Sequence, residues 1–289
     1  MTLIILLIAL ALQYFTNTIS VLPRFKWFDQ YVNIVGNFLA KTSVWGTLWG
    51  LLALIVPILI GVGIIDIIVH GRLFGLIEFL FSLLVLLYCL RAENLKSQLN
   101  DYFAALETED LTKAGNAAKE FLGKKAPEDA AGLARAVTQG IFQKAIVQCF
   151  SYIFWFILFG PYGVMLYFVV RELHLLATKE GSELKLFLEV SKKTQAVLDW
   201  LPIRLVALSY ALVGHFTPGF AHWIRTFLKG LDVENQLAWT SGLAAMDAKI
   251  NSDSKASISE NVMAINLVNN AVIVWVVVVA IFILGYWFA

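Results

Sequence analysis

Two oppositely charged residues stand five positions apart in a stretch that is otherwise apolar. The run is Val197-Leu198-Asp199-Trp200-Leu201-Pro202-Ile203-Arg204-Leu205, followed by Ser209-Tyr210-Ala211-Leu212-Val213-Gly214-His215. Ionisable groups lodged between apolar segments are costly, which makes them functional candidates. Pro202 pushes Leu201 away from helical geometry, so the spacing predicts a helix ending near Trp200. Proline also suits the first turn of a new helix starting there. The free amides of that turn, with Arg204 one turn in, would make an anion site. The plainer alternative is a helix–helix corner closed by an Asp199–Arg204 ion pair under Trp200.

A second group precedes it. Gly160-Pro161-Tyr162-Gly163-Val164-Met165-Leu166-Tyr167 is followed by Val170-Arg171-Glu172-Leu173-His174. Arg171 and His174 share one helix face and could hold an anion, or serve as ordinary anchors at a membrane interface. Tyr167 stands one turn before Arg171. These residues, with Asp199, Trp200, Arg204 and His215, are the candidate ligand-binding set. His215 and His222 are seven apart, yet Gly214 and Pro218 interrupt the helix they would need. No carboxylate or cysteine completes a metal set. Asp66 and Glu78 lie near the ends of apolar segments, where pairing with Arg72 is inexpensive. The chain has no Gly-x-x-x-x-Gly-Lys-Ser/Thr phosphate loop, no Gly-x-Ser-x-Gly and no catalytic Cys–His spacing. No catalytic residue, cofactor or metal is therefore expected.

The elements that must position these residues are set by composition. Of 289 residues, 59% are hydrophobic and 15% charged, against ~25% charged in a typical soluble domain. Mean hydropathy is +0.74. The lipid bilayer is the expected partner. A net charge of +1 and the lack of a basic aromatic stripe exclude nucleic acid. Cys89 and Cys149 sit in apolar runs and suggest neither a disulfide nor a metal site. No cleavable signal peptide is evident, because no Lys or Arg precedes Arg24. Leu3–Phe15 reads as a retained short or partly re-entrant membrane helix.

The expected fold is all-α and polytopic, with about four to five crossings and amphipathic helices on the cytoplasmic face. Residues 1–90 hold N-terminal membrane helices, including a hairpin over 44–90 with a tip at His70-Gly71-Arg72. Thr16–Ser43 carries 3 Lys/Arg and Arg91–Lys144 carries 8, against one in the tip. By the positive-inside rule the tip is outside. Residues 91–146 read as amphipathic and helical: Leu95, Leu99, Tyr102, Phe103 and Leu106 recur at helical steps. Breaks are expected at Thr108–Asp110 and at Gly123 and Pro127. Residues 147–250 carry the motifs, with Trp223, Phe227, Leu231 and Leu237 as buried positions. Residues 251–289 read as a polar linker, Asn251–Asn261, and a final crossing helix, Val268–Phe288, with Trp275 and Trp287 near its ends. Two topologies remain open for Val147–Val170. It crosses once, or Gly160-Pro161 folds it into a hairpin.

The Asp199–Arg204 run resembles the signature of the AmpE family, inner-membrane proteins associated with regulation of β-lactamase induction. That family is related in turn to the CobD/CbiB membrane synthetases of cobalamin assembly. The resemblance implies a multi-pass protein of the bacterial inner (plasma) membrane. It further implies a sensor that binds an anionic cell-wall-derived ligand or a protein partner without catalysis. The alternative it implies is an ATP-dependent, amide-forming synthetase. Gly160–Tyr167 resembles the Gly-rich turn and tyrosine of the synthetases, but the chain then departs from them. Where they read Asn-Thr-Leu-Asp, this chain has Arg171, Glu172, Leu173 and His174. Where they carry an acidic cluster, it has Gln143, Lys144, Val147 and Gln148. Magnesium and nucleotide phosphates need carboxylates and carbonyls around a hard cation, so the resemblance implies a kept scaffold and lost or changed chemistry.

Overall fold

The computed structural model describes residues 2–15, 27–39, 45–71, 75–90, 95–179, 183–230, 234–246 and 254–288. Every regular element among them is helical. In chain order they are α1 (Thr2–Phe15), α2 (Trp27–Leu39), α3 (Leu48–Val69), α4 (Leu76–Leu90), α5 (Leu95–Gln98), α6 (Asn100–Glu107), α7 (Leu111–Leu122) and α8 (Ala130–Ala145). A π-turn (Ile146–Phe150) leads into α9 (Ser151–Ala177), and a 3₁₀ turn (Glu183–Phe187) into α10 (Leu188–Val213). Then come α11 (Phe216–Phe227), α12 (Glu234–Met246) and α13 (Ser254–Phe288). Four of the described stretches are long and apolar enough to cross a membrane: Leu48–Val69, Ala130–Ala177, Leu184–Val213 and Ile258–Phe282. The chain divides into two compact units, Met1–Arg91 with Ser151–Asp199, and Ala92–Phe150 with Trp200–Ala289.

In the first unit, α3 has 22 residues, about 33 Å of helix, enough for the hydrocarbon core. The expected return helix is shorter: α4 has 15 residues, below the ~20 of a full crossing. Arg72 lies outside the described residues, as do Lys26 and Lys41. The tip residue His70 pairs with Glu78, at 3.1 Å. The start of α3 is marked by Trp45 against Phe187, ring centroids 4.7 Å apart. Near the other end, Tyr162 donates to Asp66 at 2.9 Å.

The break inside α9 decides the open topology. Gly160 has φ 57° and ψ −139°, a conformation that glycine alone adopts readily. Pro161 then opens the second arm, where its missing N–H costs nothing. A Cβ at Gly163 would run into the Trp155 carbonyl, so the arms approach closely. Sixteen residues of straight helix would separate Ser151 from Tyr167 by about 24 Å. Instead both hydroxyls reach one oxygen of Asp199. The segment folds back on itself, and residues 184–187 return to the end of the unit that holds Trp45 and Gly46.

The second unit follows the predicted pattern in its first half. Leu99, Tyr102 and Leu106 are buried along one stripe. Glu109 takes a positive φ, and Asp110 caps α7 through the Lys113 amide at 3.0 Å. Gly123 closes α7 in the left-handed region. Further on, the structure departs from the expected polar linker. Residues 254–261 are the first turns of α13, and Asn261 is fully buried. It accepts from Tyr102 (3.2 Å) and donates to the Ala134 carbonyl (3.1 Å) and Thr138 (2.7 Å). A polar residue fully paired in this way stabilises a core that its composition alone argues against. Trp275 is accordingly mid-helix, buried, and donates to Ser209 at 2.9 Å. Leu237 is buried as expected, while Leu231 lies outside the described residues.

Candidate functional site

The expected helix end at Trp200 is absent. Helix α10 runs unbroken from Leu188 to Val213 with Pro202 inside it. Proline removes the amide that would bond the carbonyl four residues earlier, which is that of Leu198. That carbonyl takes the Trp155 indole N–H instead, at 3.2 Å. A neighbouring donor thus satisfies the freed group, the usual condition for proline inside a membrane helix. With no new helix start at Pro202, the proposed anion site on its free amides does not form.

The expected Asp199–Arg204 ion pair is also absent, because each charge has other partners. Arg204 belongs to the second unit and is only 1% exposed. Its Nε donates to the Phe227 carbonyl, Nη2 to that of Lys229 and Nη1 to that of Trp200, each at 2.7 Å. The guanidinium also lies 4.1 Å from the Trp200 ring. Phe227 and Lys229 sit at the C-terminal end of α11, where carbonyls lack helical donors and the dipole favours a cation. Trp223 returns a bond to the Arg204 carbonyl at 2.9 Å. Trp200 and Arg204 therefore fasten α11 to α10. His215 is exposed and precedes the first turn of α11 without a side-chain cap bond. These three expected site residues belong to the second unit.

Asp199, Tyr167, Arg171 and His174 do come together, all in the first unit. Asp199 is 5% exposed. One carboxylate oxygen accepts from Ser151 at 2.5 Å and from Tyr167 at 2.9 Å. The Gln195 side-chain amide is turned toward the same carboxylate, and Arg171 acts on it electrostatically. Tyr152 stands edge-on to the Tyr167 ring, 4.8 Å away. One to two turns further along, His174 Nδ1 lies 3.3 Å from Ser191 Oγ. Ser151, Tyr152, Ser191 and Gln195 were not singled out from the sequence. Ser191 and Gln195 stand eight and four residues before Asp199, on its helix face, and that periodicity could have found them. Ser151 and Tyr152 become neighbours only through the fold-back at Gly160.

The depth of the cluster follows from helix rise. Asp199 is twelve residues beyond Phe187, about 18 Å along α10. Tyr167 is five residues beyond Tyr162, about 7.5 Å. Asp199 thus lies well inside the span between the two ends of the unit, where an ionisable group is a functional candidate by default. It is stabilised by hydroxyls and an amide, with a cation near but not bonded. Among the described residues Arg171 makes no ion pair, and no group of three or more His, Cys, Asp or Glu could hold a metal.

All-helical architecture, four spanning stretches and a buried polar cluster define a multi-pass helical membrane protein. Over residues 1–286 the sequence matches the family described as regulatory signalling modulator protein AmpE. The chain belongs to the AmpE family and is a regulatory membrane protein. It is also similar to two cobalamin biosynthesis proteins CobD. The one from Chromobacterium violaceum is 27% identical over 149 residues, 51% of this chain and 48% of the relative. The one from Stutzerimonas stutzeri is 30% identical over 95 residues, 33% of this chain and 31% of the relative. The chain thus matches less than half the length of either. No solved structure matches.

Proposed function

We propose that the chain is a bacterial inner-membrane regulator of β-lactamase induction, coupled to cell-wall recycling. In this reading it binds a small anionic ligand between α9 and α10 of the first unit and catalyses nothing. The observation that supports it most is the half-buried Arg171, without an ion pair among the described residues, beside a carboxylate already held by uncharged donors. Family membership supplies the regulatory context. The test is complementation of a deletion strain in which induction depends on this gene. Arg171→Gln should accumulate like the wild type yet leave induction as in the deletion. Full restoration of wild-type induction would overturn the reading.

A second reading, an ATP-dependent amide-forming synthetase, is favoured by the partial match to the CobD proteins. Against it, Lys144, one of the residues standing where the synthetases have an acidic cluster, is tied to Gln98 at 2.9 Å and packs on the Phe121 ring. Calorimetry with Mg-ATP separates the two. Saturable heat with a micromolar dissociation constant would favour the synthetase.

A further inference from the structure

Helices α9 and α10 of the first unit face each other through three rungs. Tyr167 bonds Asp199 at one end, and His174 meets Ser191 at the other. On α9, Arg171 lies four residues after Tyr167 and three before His174. On α10, Gln195 lies four residues from both Asp199 and Ser191. Residues at these spacings share a helix face, so Arg171 and Gln195 form the middle rung between two closed ones. The middle rung is not bonded. Gln195 is 8% exposed, and its buried Oε1 has no hydrogen-bond partner. Arg171 has no ion pair among the described residues. Leaving a buried acceptor unmade costs about 1–3 kcal/mol, so such a group in a native fold calls for a reason.

The two sides of the rung have complementary demands. A guanidinium offers only donors, and a carboxamide oxygen only accepts. A group that joins them must present oxyanion oxygen to Arg171 and its own O–H or N–H to Gln195. We infer that the middle rung binds an oxyanion carrying its own hydrogen-bond donor: a protonated phosphate monoester, or a carboxylate with an adjacent hydroxyl or amide. Bare oxyanions fill one side only. Lys192 adds positive charge nearby, since it and Arg171 both act electrostatically on His174. This inference rests on the proposed function and sharpens it from an anion to a donor-bearing oxyanion.

The test uses the full chain purified into lipid nanodiscs at pH about 6, near the second pKa of a phosphomonoester, where part of it keeps its O–H. Binding of methyl phosphate is compared with sulfate, and lactate with acetate. The donor-bearing member of one pair should bind about tenfold more tightly, the worth of one buried hydrogen bond. The pair that discriminates identifies the source as phosphate ester or hydroxy acid. Gln195→Leu should abolish the discrimination while keeping anion binding, and Arg171→Gln should abolish both. Equal binding within both pairs overturns the inference and leaves the proposed function standing. If no probe binds but Arg171→Gln still abolishes induction, the ligand class is wrong and the site is right. If no probe binds and Arg171→Gln induces normally, both fail.

Discussion

Asp199 and Arg204 are two buried charges on one helix, and the fold treats them differently. Arg204 is saturated by three main-chain carbonyls and an aromatic face. Asp199 is held by a serine and a tyrosine from two arms of a folded-back helix, with an amide and a cation close by. Carbonyls at a helix end are fixed features of the backbone, so a charge spent on them is a strut. Hydroxyls, an amide and a nearby guanidinium can exchange partners, so a charge among them can respond to a ligand. Burial alone therefore does not distinguish a functional charge from a structural one. The chemistry of its partners does.

The largest expected effect lies on the strut. Arg204→Ala leaves the Phe227, Lys229 and Trp200 carbonyls without this donor. It should lower stability by on the order of 3 kcal/mol or more, read as a fall in melting temperature in detergent and in abundance in cells. If the loss is below about 1 kcal/mol, the carbonyls have other donors and the contrast weakens. Next comes Trp155, whose indole covers the carbonyl that Pro202 exposes. Trp155→Phe should cost about 1 kcal/mol. In a Pro202→Ala background the restored amide takes over that carbonyl, so the same change should cost less. Additive costs in that double-mutant cycle would show that the indole does not serve the proline.

The smallest effect is on pH dependence in the second unit. His222 is held below its ordinary value first by burial, then by the positive charges of Lys229 and Arg225. The unfolded chain therefore takes up the proton first. Stability from this residue is complete above about pH 6.5 and is lost as pH falls through the lower folded value. Replacing His222 with Gln should flatten the melting temperature between about pH 6.5 and pH 5. An unchanged slope would assign it to other groups.

Much of this arrangement was legible in the sequence, and the misses have physical causes. The helical class, the breaks around Glu109 and Gly123 and the glycine–proline interruption all follow from local chemistry. Periodicity also places Tyr167, Arg171 and His174 on one face of α9, and the structure brings that face to Asp199. Pro202 misled because a helix end and a helix covered by a tryptophan donor look identical until Trp155 is in place. Asn261 misled because a Ser- and Asn-rich stretch reads as linker unless its partners, Tyr102 and Thr138, are known. The Asp199–Arg204 pair misled because opposite charges near each other in sequence suggest pairing. The helix turns them toward different neighbours.

The most direct measurement is induction per molecule of protein for Asp199→Asn beside Arg204→Lys, both in the deletion strain, with melting temperatures from the same preparations. Asp199→Asn keeps the shape and most hydrogen bonds, so stability should stay within about 1 kcal/mol of wild type, while induction per molecule falls to the level of the deletion. Arg204→Lys cannot reproduce three diverging bonds, so its melting temperature should drop while induction per surviving molecule stays normal. The opposite pattern, with Asp199→Asn unfolding and induction tracking abundance in both variants, would contradict the assignment of Asp199 to function and Arg204 to architecture.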